Sequence, residues 1–330
     1  MTYVPSVTIA IVSFNTRDAL RDCLRSIERV REEVKIEVVI VDNASSDGSL
    51  AMLEWEFPQI KVLANTENLG FARAVNQAFE ASDSDFFMML NPDTWVAKNS
   101  IVRLVEMAER DPEIAVVGAQ LTSFEGDSQQ SVLAKPTLAK EFLNLLPELK
   151  SILLPYSIKS ILIRGREQRR GQIIEVPAVS GGAMLIRSAA FRQAGGMDER
   201  FFVYHEEVDL CLRLHKSGWK IVFAPQAQIL HYDALSTCYK PTKIPAEPVL
   251  SWRLNGLSIL FEKHGSAGQR KRFIAMAGFL LRFRAMLCRF RSGIASDSAA
   301  LWQGRAKELE MAAVSLGKLS CVKPNQSMAQ

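Results

Sequence analysis

Five apolar runs punctuate the first 120 residues: Val7 to Ser13, Ile36 to Asp42, Ile60 to Ala64, Phe86 to Asn91 and Ile114 to Gln120. Each is short and followed by polar or turn-forming residues, the signature of a buried strand. Between the first two, Leu20, Cys23, Leu24, Ile27 and Val30 follow the spacing of a helix with one buried face. Further helices are expected over Leu50 to Glu56, Phe71 to Ala81 and Ile101 to Arg110. Strand and helix in alternation predict an α/β fold with a mostly parallel central sheet flanked by helices.

The rhythm breaks over residues 121–172, where Leu138 to Leu154 has helical spacing, prolines stand at 147 and 155, and Arg164 to Arg170 is basic. This stretch reads as an insertion near a substrate. Regularity returns at Ile173 to Val179, Ala183 to Ile186, Glu206 to Lys216, Ile221 to Phe223 and Ile229 to His231. After Pro248 the pattern is helical up to a polar tail. We therefore expect one domain over 1–245, with a nucleotide-binding half at 1–120, the insertion at 121–172 and an acceptor-side half at 173–245, then a helical appendage at 246–330.

With 48% apolar residues in 330, the chain can bury a sizeable core. No apolar run reaches the roughly 18 residues of a membrane span, and the N-terminus enters a strand-like segment at once, so neither a span nor a signal peptide is expected, and the location is read as cytoplasmic. The cysteines Cys23, Cys211, Cys238, Cys288 and Cys321 form no C-x-x-C pair, which points to reduced thiols rather than disulfides or zinc. The net charge is +4, yet Lys263 to Arg291 contains eight Lys or Arg and no acid, so the basic character is local. A basic amphipathic helix at 263–291 suits an anionic membrane surface, or else a helix packed on the main domain with a solvated edge. Nucleic acid is disfavoured, because no aromatic platform or recognition motif accompanies the charge.

Polar clusters stand where the apolar runs end. Asn91-Pro92-Asp93 follows Phe86 to Leu90. That places Asp93 at the rim of a sheet, where open α/β folds bind ligands, and an extended chain would aim Asn91 and Asp93 the same way as an oxygen pair for Mg2+ or Mn2+. The triplet is also ordinary turn chemistry. Asp42 leads Asn43 to Ser49 into a helix and is placed to accept from a nucleobase or ribose, although Ser, Asp and Gly there also make a well-capped loop. In Asn65 to Phe71, Gly70 lets the backbone come close to a ligand, and Arg73 lies one helical turn from Asn76, so that both can face a nucleotide. Ser180-Gly181-Gly182 and Gly195-Gly196 precede Glu206, Glu207 and Asp209 at a helix start. There Glu206 and Asp209 share a face while Glu207 points about 100° away, and a carboxylate on such a turn can act as a general base. His231 closes a late strand and, with Asp93, can complete an Asp/His metal site.

These clusters, in this order, resemble the GT-A glycosyltransferases of family 2, in particular the bacterial rhamnosyltransferase-like branch. The resemblance runs from about residue 7 to 262. It is carried by Val-Asp-Asn-x-Ser-x-Asp-Gly-Ser at 41–49, Asn-x-Gly-Phe-Ala at 68–72, Asn-Pro-Asp at 91–93 and Gly-Gly-Met-Asp-Glu-x-Phe-Phe-x-Tyr at 195–204. It implies the GT-A nucleotide-diphospho-sugar transferase fold with a C-terminal helical appendage. The implied reaction is an inverting transfer from a nucleoside diphosphate sugar to a glycan or lipid-linked acceptor, with a divalent metal, Mn2+ or Mg2+, on the diphosphate. By position, Asp93 and His231 match metal ligands, Asp42 and Arg73 match donor contacts, and Ser13 and Asn15 lie where the family lines its nucleobase pocket. Asn68, Gly70, Asn91 and Gly181 are counted with the donor-binding residues. Glu207, second of the Glu206-Glu207 pair, takes the position of the catalytic base.

The chain departs from the pattern at three places. Glu207 stands where the family usually has Asp, and a misplacement of about 1 Å near reacting atoms can cost on the order of 100-fold. Asn91 replaces a frequent aspartate, leaving the metal more dependent on the nucleotide's phosphates, and Ala234 replaces a glycine. Within the family, dTDP-rhamnose is the expected donor, with galactofuranose, glucose or N-acetylglucosamine as alternatives, and the product would enter bacterial cell-surface polysaccharide at the inner face of the cytoplasmic membrane. A catalytically impaired sugar-nucleotide-binding subunit is the competing reading. A nucleotidyltransferase is disfavoured, since Val7 to Arg17 lacks a glycine.

Overall fold

In the computed structural model, which describes residues 4–30, 34–146, 174–232, 246–294 and 299–320, the chain divides into two compact units. The described residues of Met1–Lys135, Glu167–Phe202 and Glu206–Lys243 form the first, and those of Pro136–Arg166, Val203–His205 and Ile244–Gln330 the second.

The first unit is built on a nine-stranded sheet. Strands β1 (Ser6–Ser13), β2 (Lys35–Asp42), β3 (Lys61–Ala64) and β4 (Phe86–Leu90) lie in the order β3-β2-β1-β4, all parallel. The chain winds outward from β1 to β3 and then returns to β1's other side. The crevice of such a sheet falls where the winding reverses, at the C-terminal ends of β1 and β4. Both faces are covered, so every residue of β4 is buried and the strand reads as an unbroken apolar run. Phe86, Met88 and Leu90 join the core with Val7, Ile9 and Ile11, while Phe87 on the other face packs against Phe79 and Phe191. Helix α1 (Arg17–Glu28) buries Leu20, Cys23, Leu24 and Ile27, the stripe its spacing predicts.

Beyond β4 come β5 (Thr94–Val96), β6 (Ile114–Thr122), β7 (Val132–Leu133), β8 (Ile174–Glu175), β9 (Ala178–Val179), β10 (Ala183–Arg187) and β11 (Lys220–His231). Strand β10 runs antiparallel between β4 and β6, β6 runs parallel to β11, and β5 and β8 lie antiparallel against β11. Six of the nine strands thus share one direction, the mostly parallel sheet that the pattern predicts. Two features escape the pattern. The separate runs at 221–223 and 229–231 are one strand, carried through an irregularity between Ala224 and Gln228, where a bulge breaks the alternation. Strand β5, at three residues, is too short to show a period. Its pairing with β11 sets Thr94 opposite His231.

In the second unit, α5 (Leu138–Leu145) lies with three long helices, Ala246–His264, Gln269–Ile294 and Ala299–Ser320. They close on a separate core that includes Leu145, Leu257, Phe261, Phe273, Leu281, Leu309 and Leu316. Small buried residues, Ala277, Ala285, Ala306, Ala312 and Ala313, let the helices approach closely. The rest of the Leu138 to Leu154 run, the Arg164 to Arg170 cluster, Ala234 and the polar tail lie outside the described residues.

Candidate active site

The first-unit sheet gathers polar ends along one rim. Ser13 closes β1 opposite Asp42 at the end of β2. The Ser13 hydroxyl is committed to Thr16 Oγ1 at 3.1 Å. Asn15, with a φ of 54°, spends its side chain on the next loop, its Oδ1 accepting from Ser46 N at 2.8 Å. Asp42 is fully buried. One of its oxygens accepts from Ser45 N at 2.8 Å, while the other, Oδ2, has no hydrogen-bond partner. A buried acceptor left over is costly unless something donates to it, which fits a nucleobase or ribose.

The second cluster is spent largely on holding loops. Asn68 Oδ1 accepts from Gly70 N at 3.0 Å, and Asn43 Nδ2 donates to Gly70 O at 3.2 Å. Gly70 has a φ of 84°, and a Cβ there would stand 2.6 Å from Phe202 O and 2.7 Å from Phe202 Cδ2. In this structure the close approach that the glycine permits is to the backbone of Phe202. Asn76 is likewise engaged within the protein. Its amide donates to Met197 O and Glu199 Oε1, both at 3.0 Å, and accepts from Met197 N at 2.8 Å, pinning the Gly195-Gly196 turn. Arg73 lies exposed, 3.7 Å from Glu199 Oε2.

The ends of β4 and β11 hold the most unusual chemistry. Asp93 is fully buried and neither carboxylate oxygen has a hydrogen-bond partner. His231 Nε2 stands 3.4 Å from Asp93 Oδ1. Gln129, on the hairpin that leaves β6, decides what that nitrogen carries. Its Nε2 donates to His231 O at 2.9 Å, so its Oε1, 2.9 Å from His231 Nδ1, must accept, and Nδ1 bears the hydrogen. In the neutral ring Nε2 is then a lone pair, toward which Asn91 Nδ2 points at 3.3 Å, and in the imidazolium it donates to Asp93. Asn91 thus presents its nitrogen to His231, and because β4 ends at Leu90 the chain between Asn91 and Asp93 is a turn rather than the extended segment that the spacing assumes. With Nε2 as a lone pair, a divalent cation between it and the Asp93 oxygen would be held by both, a carboxylate and an imidazole ligand. Among the described residues, no group of three or more His, Cys, Asp and Glu gathers as a metal site. Gln129 has no sequence signature, because only strand pairing brings it to His231.

Gly181 and Gly182 link this corner to the glutamates. Gly182 O accepts from Asn91 N at 3.0 Å, and a Cβ on Gly181 would lie 3.6 Å from Glu207 Cβ. Glu206 and Glu207 open α7 (Glu206–Lys216; α6 being Ser188–Gln193). Glu206 is buried, and its carboxyl is pushed well above the usual range by that burial and by the neighbouring Glu207 charge. Asp209, on the same face, is tied to Arg213 at 2.8 Å, and Arg213 caps Ala194 O and Gly196 O. Glu207 is less deeply buried than Glu206.

Residues 8–194 match the profile of the family described as glycosyl transferase family 2. That stretch spans Ser13, Asp42, Gly70, Asp93 and Gly181 and stops short of Glu206, Glu207 and His231. Among curated proteins, the chain is 30% identical over 246 residues to the N-acetylglucosaminyl-diphospho-decaprenol L-rhamnosyltransferase of Mycobacterium tuberculosis, covering 71% of this chain and 78% of that protein. It is 24% identical to the rhamnosyltransferase WbbL of Escherichia coli K12, covering 68% and 83%. Among solved structures it superposes on a mannosyltransferase of Pyrobaculum calidifontis in complex with GDP-Man and Mn2+, with a TM-score of 0.54, 17% identity and coverage of 96% and 88%. GalNAc-T7 with UDP, GalNAc and Mn2+ follows at a TM-score of 0.52 and 14% identity, covering 83% and 57%. Both likenesses concern the fold.

Proposed function

This chain belongs to glycosyl transferase family 2 and is a glycosyltransferase of GT-A fold, and we propose that it transfers L-rhamnose, with inversion, from a dTDP-linked donor to a lipid-diphosphate-linked sugar acceptor in bacterial cell-surface polysaccharide synthesis. Support for the sugar and the acceptor comes from the two rhamnosyltransferase relatives. The observation that carries the site assignment is the buried Asp93 carboxylate, free of hydrogen bonds, with His231 Nε2 3.4 Å away.

In this reading residues 1–245 carry catalysis. Asp93 and His231 would hold a divalent cation, which when bound offsets the charge that develops on the leaving diphosphate. Asp42 Oδ2 receives a donor from the nucleoside, next to Ser13 at the end of β1. Glu207 takes the proton of the acceptor hydroxyl as that oxygen approaches the face of the sugar opposite the diphosphate, which is what inverts the anomeric centre. Burial and the Glu207 charge raise the proton affinity of Glu206, which favours the negative charge of the pair on Glu207.

Turnover of dTDP-L-rhamnose with Mn2+ and a polyprenyl-diphosphate N-acetylglucosamine acceptor tests the reading. Glu207→Gln is expected to lower transfer by roughly 10²–10⁴-fold while donor affinity, measured by calorimetry, stays within about threefold. Wild-type turnover that Glu207→Gln leaves intact removes Glu207 from the base role. Binding of the donor with no turnover on any acceptor turns the protein into a sugar-nucleotide-binding subunit.

A further inference from the structure

The helix Gln269–Ile294, α9 when Ala246–His264 is α8 and Ala299–Ser320 is α10, has two apolar faces, and the described residues cover only one. Phe273, Ala277, Leu281, Ala285 and Cys288 are buried in the second unit's core. On the other side, Phe279, Phe283, Met286, Phe290 and Ile294 recur at intervals of four, three, four and four, a single stripe along the helix. All five are exposed, Phe279 by 67%, Phe290 by 69% and Ile294 by 70%. Leu287 widens the stripe, at 43% exposure.

Cations border the stripe on both sides. At 100° per residue, Lys271, Arg282 and Arg289 flank one edge and Arg284 and Arg291 the other. The helix carries no acid. From the neighbouring helix α10, Glu310 pairs with Arg289 at 2.7 Å, and Trp302 receives Arg291 at 5.1 Å. No helix among the described residues is long and apolar enough to cross a membrane.

We propose that this face of α9 lies in the surface of an anionic bilayer, with Phe279, Phe283, Met286, Phe290 and Ile294 among the acyl chains and the flanking cations at the lipid phosphates. An apolar strip between two rows of cations matches the cross-section of a helix seated at that depth, aromatic side chains down and charges level with the headgroups. A second copy of the chain is a poorer occupant. The stripe is about 22 Å long and one helix face wide, roughly 200 Å², against about 800 Å² per partner in a stable interface, and a two-fold pairing would bring like-charged rows together. Because binding needs neither donor nor acceptor, this inference stands or falls independently of the proposed reaction.

Flotation of the full chain with phosphatidylcholine vesicles containing 30 mol % phosphatidylglycerol, compared with pure phosphatidylcholine, decides it. The wild type is expected to float with the anionic vesicles and not with the neutral ones, and to be released by high salt. Phe279→Ser/Phe290→Ser is expected to lower the partition at least tenfold, and Lys271→Gln/Arg282→Gln several-fold, with circular dichroism spectra matching wild type in both. A wild type that stays at the bottom of the gradient, or a serine variant that floats like it, overturns the proposal. So does a wild-type dimer in light scattering that the serine pair dissolves while vesicle binding is unchanged.

Discussion

Gln129 shows how much of a site can rest on a residue that touches no substrate. By donating to His231 O and accepting from Nδ1, it fixes both the ring and the tautomer, and it leaves Nε2 able to ligate. Gln129→Leu is therefore expected to weaken Mn2+ binding by about 10–100-fold, and Gln129→Glu to restore part of it. Calorimetry with Mn2+ and dTDP reads this without turnover, and unchanged Mn2+ affinity in Gln129→Leu would assign the hydrogen bonds to packing alone. Glu206 makes a prediction of a different kind. Its carboxyl binds a proton more tightly folded than unfolded, because burial and Glu207 disfavour the charge. The stability linked to it is present below the ordinary carboxyl value of 4.5 and is lost as pH rises toward the raised one. Glu206→Gln, a neutral mimic, should melt close to wild type near pH 4 and increasingly above it toward pH 8. His205 runs the other way. Burial, with Arg253 and Lys140 adding to it, depresses its imidazole to about 4. Its contribution is complete above about pH 6.5 and is lost as acid approaches pH 4, so His205→Gln should flatten the acid limb of the stability curve. An acid limb of unchanged slope in that variant rules the histidine out.

Elements explain why some of this was legible in sequence and some was not. Parallel strands buried on both faces leave long apolar runs, and a polar residue immediately after such a run has few places to be other than the rim; that is how Asp42 and Asp93 could be read directly. The meeting of Asn91 with His231, 140 positions apart, depends on β5, whose three residues show no periodicity, pairing with the end of a strand that a bulge interrupts. Nothing local announces either. Gly70 was legible as a special backbone position, but its contact with Phe202 was not. Its φ of 84° and the Phe202 carbonyl 2.6 Å from any Cβ tie the entry of α3 (Phe71–Glu80; α2 being Ser49–Glu56) to the loop before α7. Gly70→Ala is accordingly expected to destabilise by about 3 kcal/mol, combining left-handed strain with a backbone clash. Gly126 offers the control, with a φ of 86° and nothing within 4 Å. There Gly→Ala should cost only about 1 kcal/mol. Urea denaturation of the pair separates the two terms, and equal losses would show that the Phe202 contact yields.

For the molecule as a whole, the site residues lower the stability of the fold that presents them. Asp93 buries two acceptor oxygens without a hydrogen bond, Asp42 leaves one, and Glu206 another, each a group of the kind that costs about 1–3 kcal/mol when unsatisfied. A ligand that satisfies them returns that stability. At 100 times its dissociation constant, dTDP with Mn2+ should add about 2.7 kcal/mol, roughly 4 °C for a protein of this size. Asp93→Asn is the decisive variant. An amide at 93 removes the charge and can donate to the lone pair of His231 Nε2, so the unliganded variant should melt higher than wild type while its shift with dTDP and Mn2+ disappears. The opposite pattern, a lower melting point with the ligand shift preserved, would mean that Asp93 is a structural carboxylate. Loss of both would mean that the variant fails to fold the rim, and Asp42→Asn then carries the test, because its remaining oxygen keeps the bond from Ser45 N.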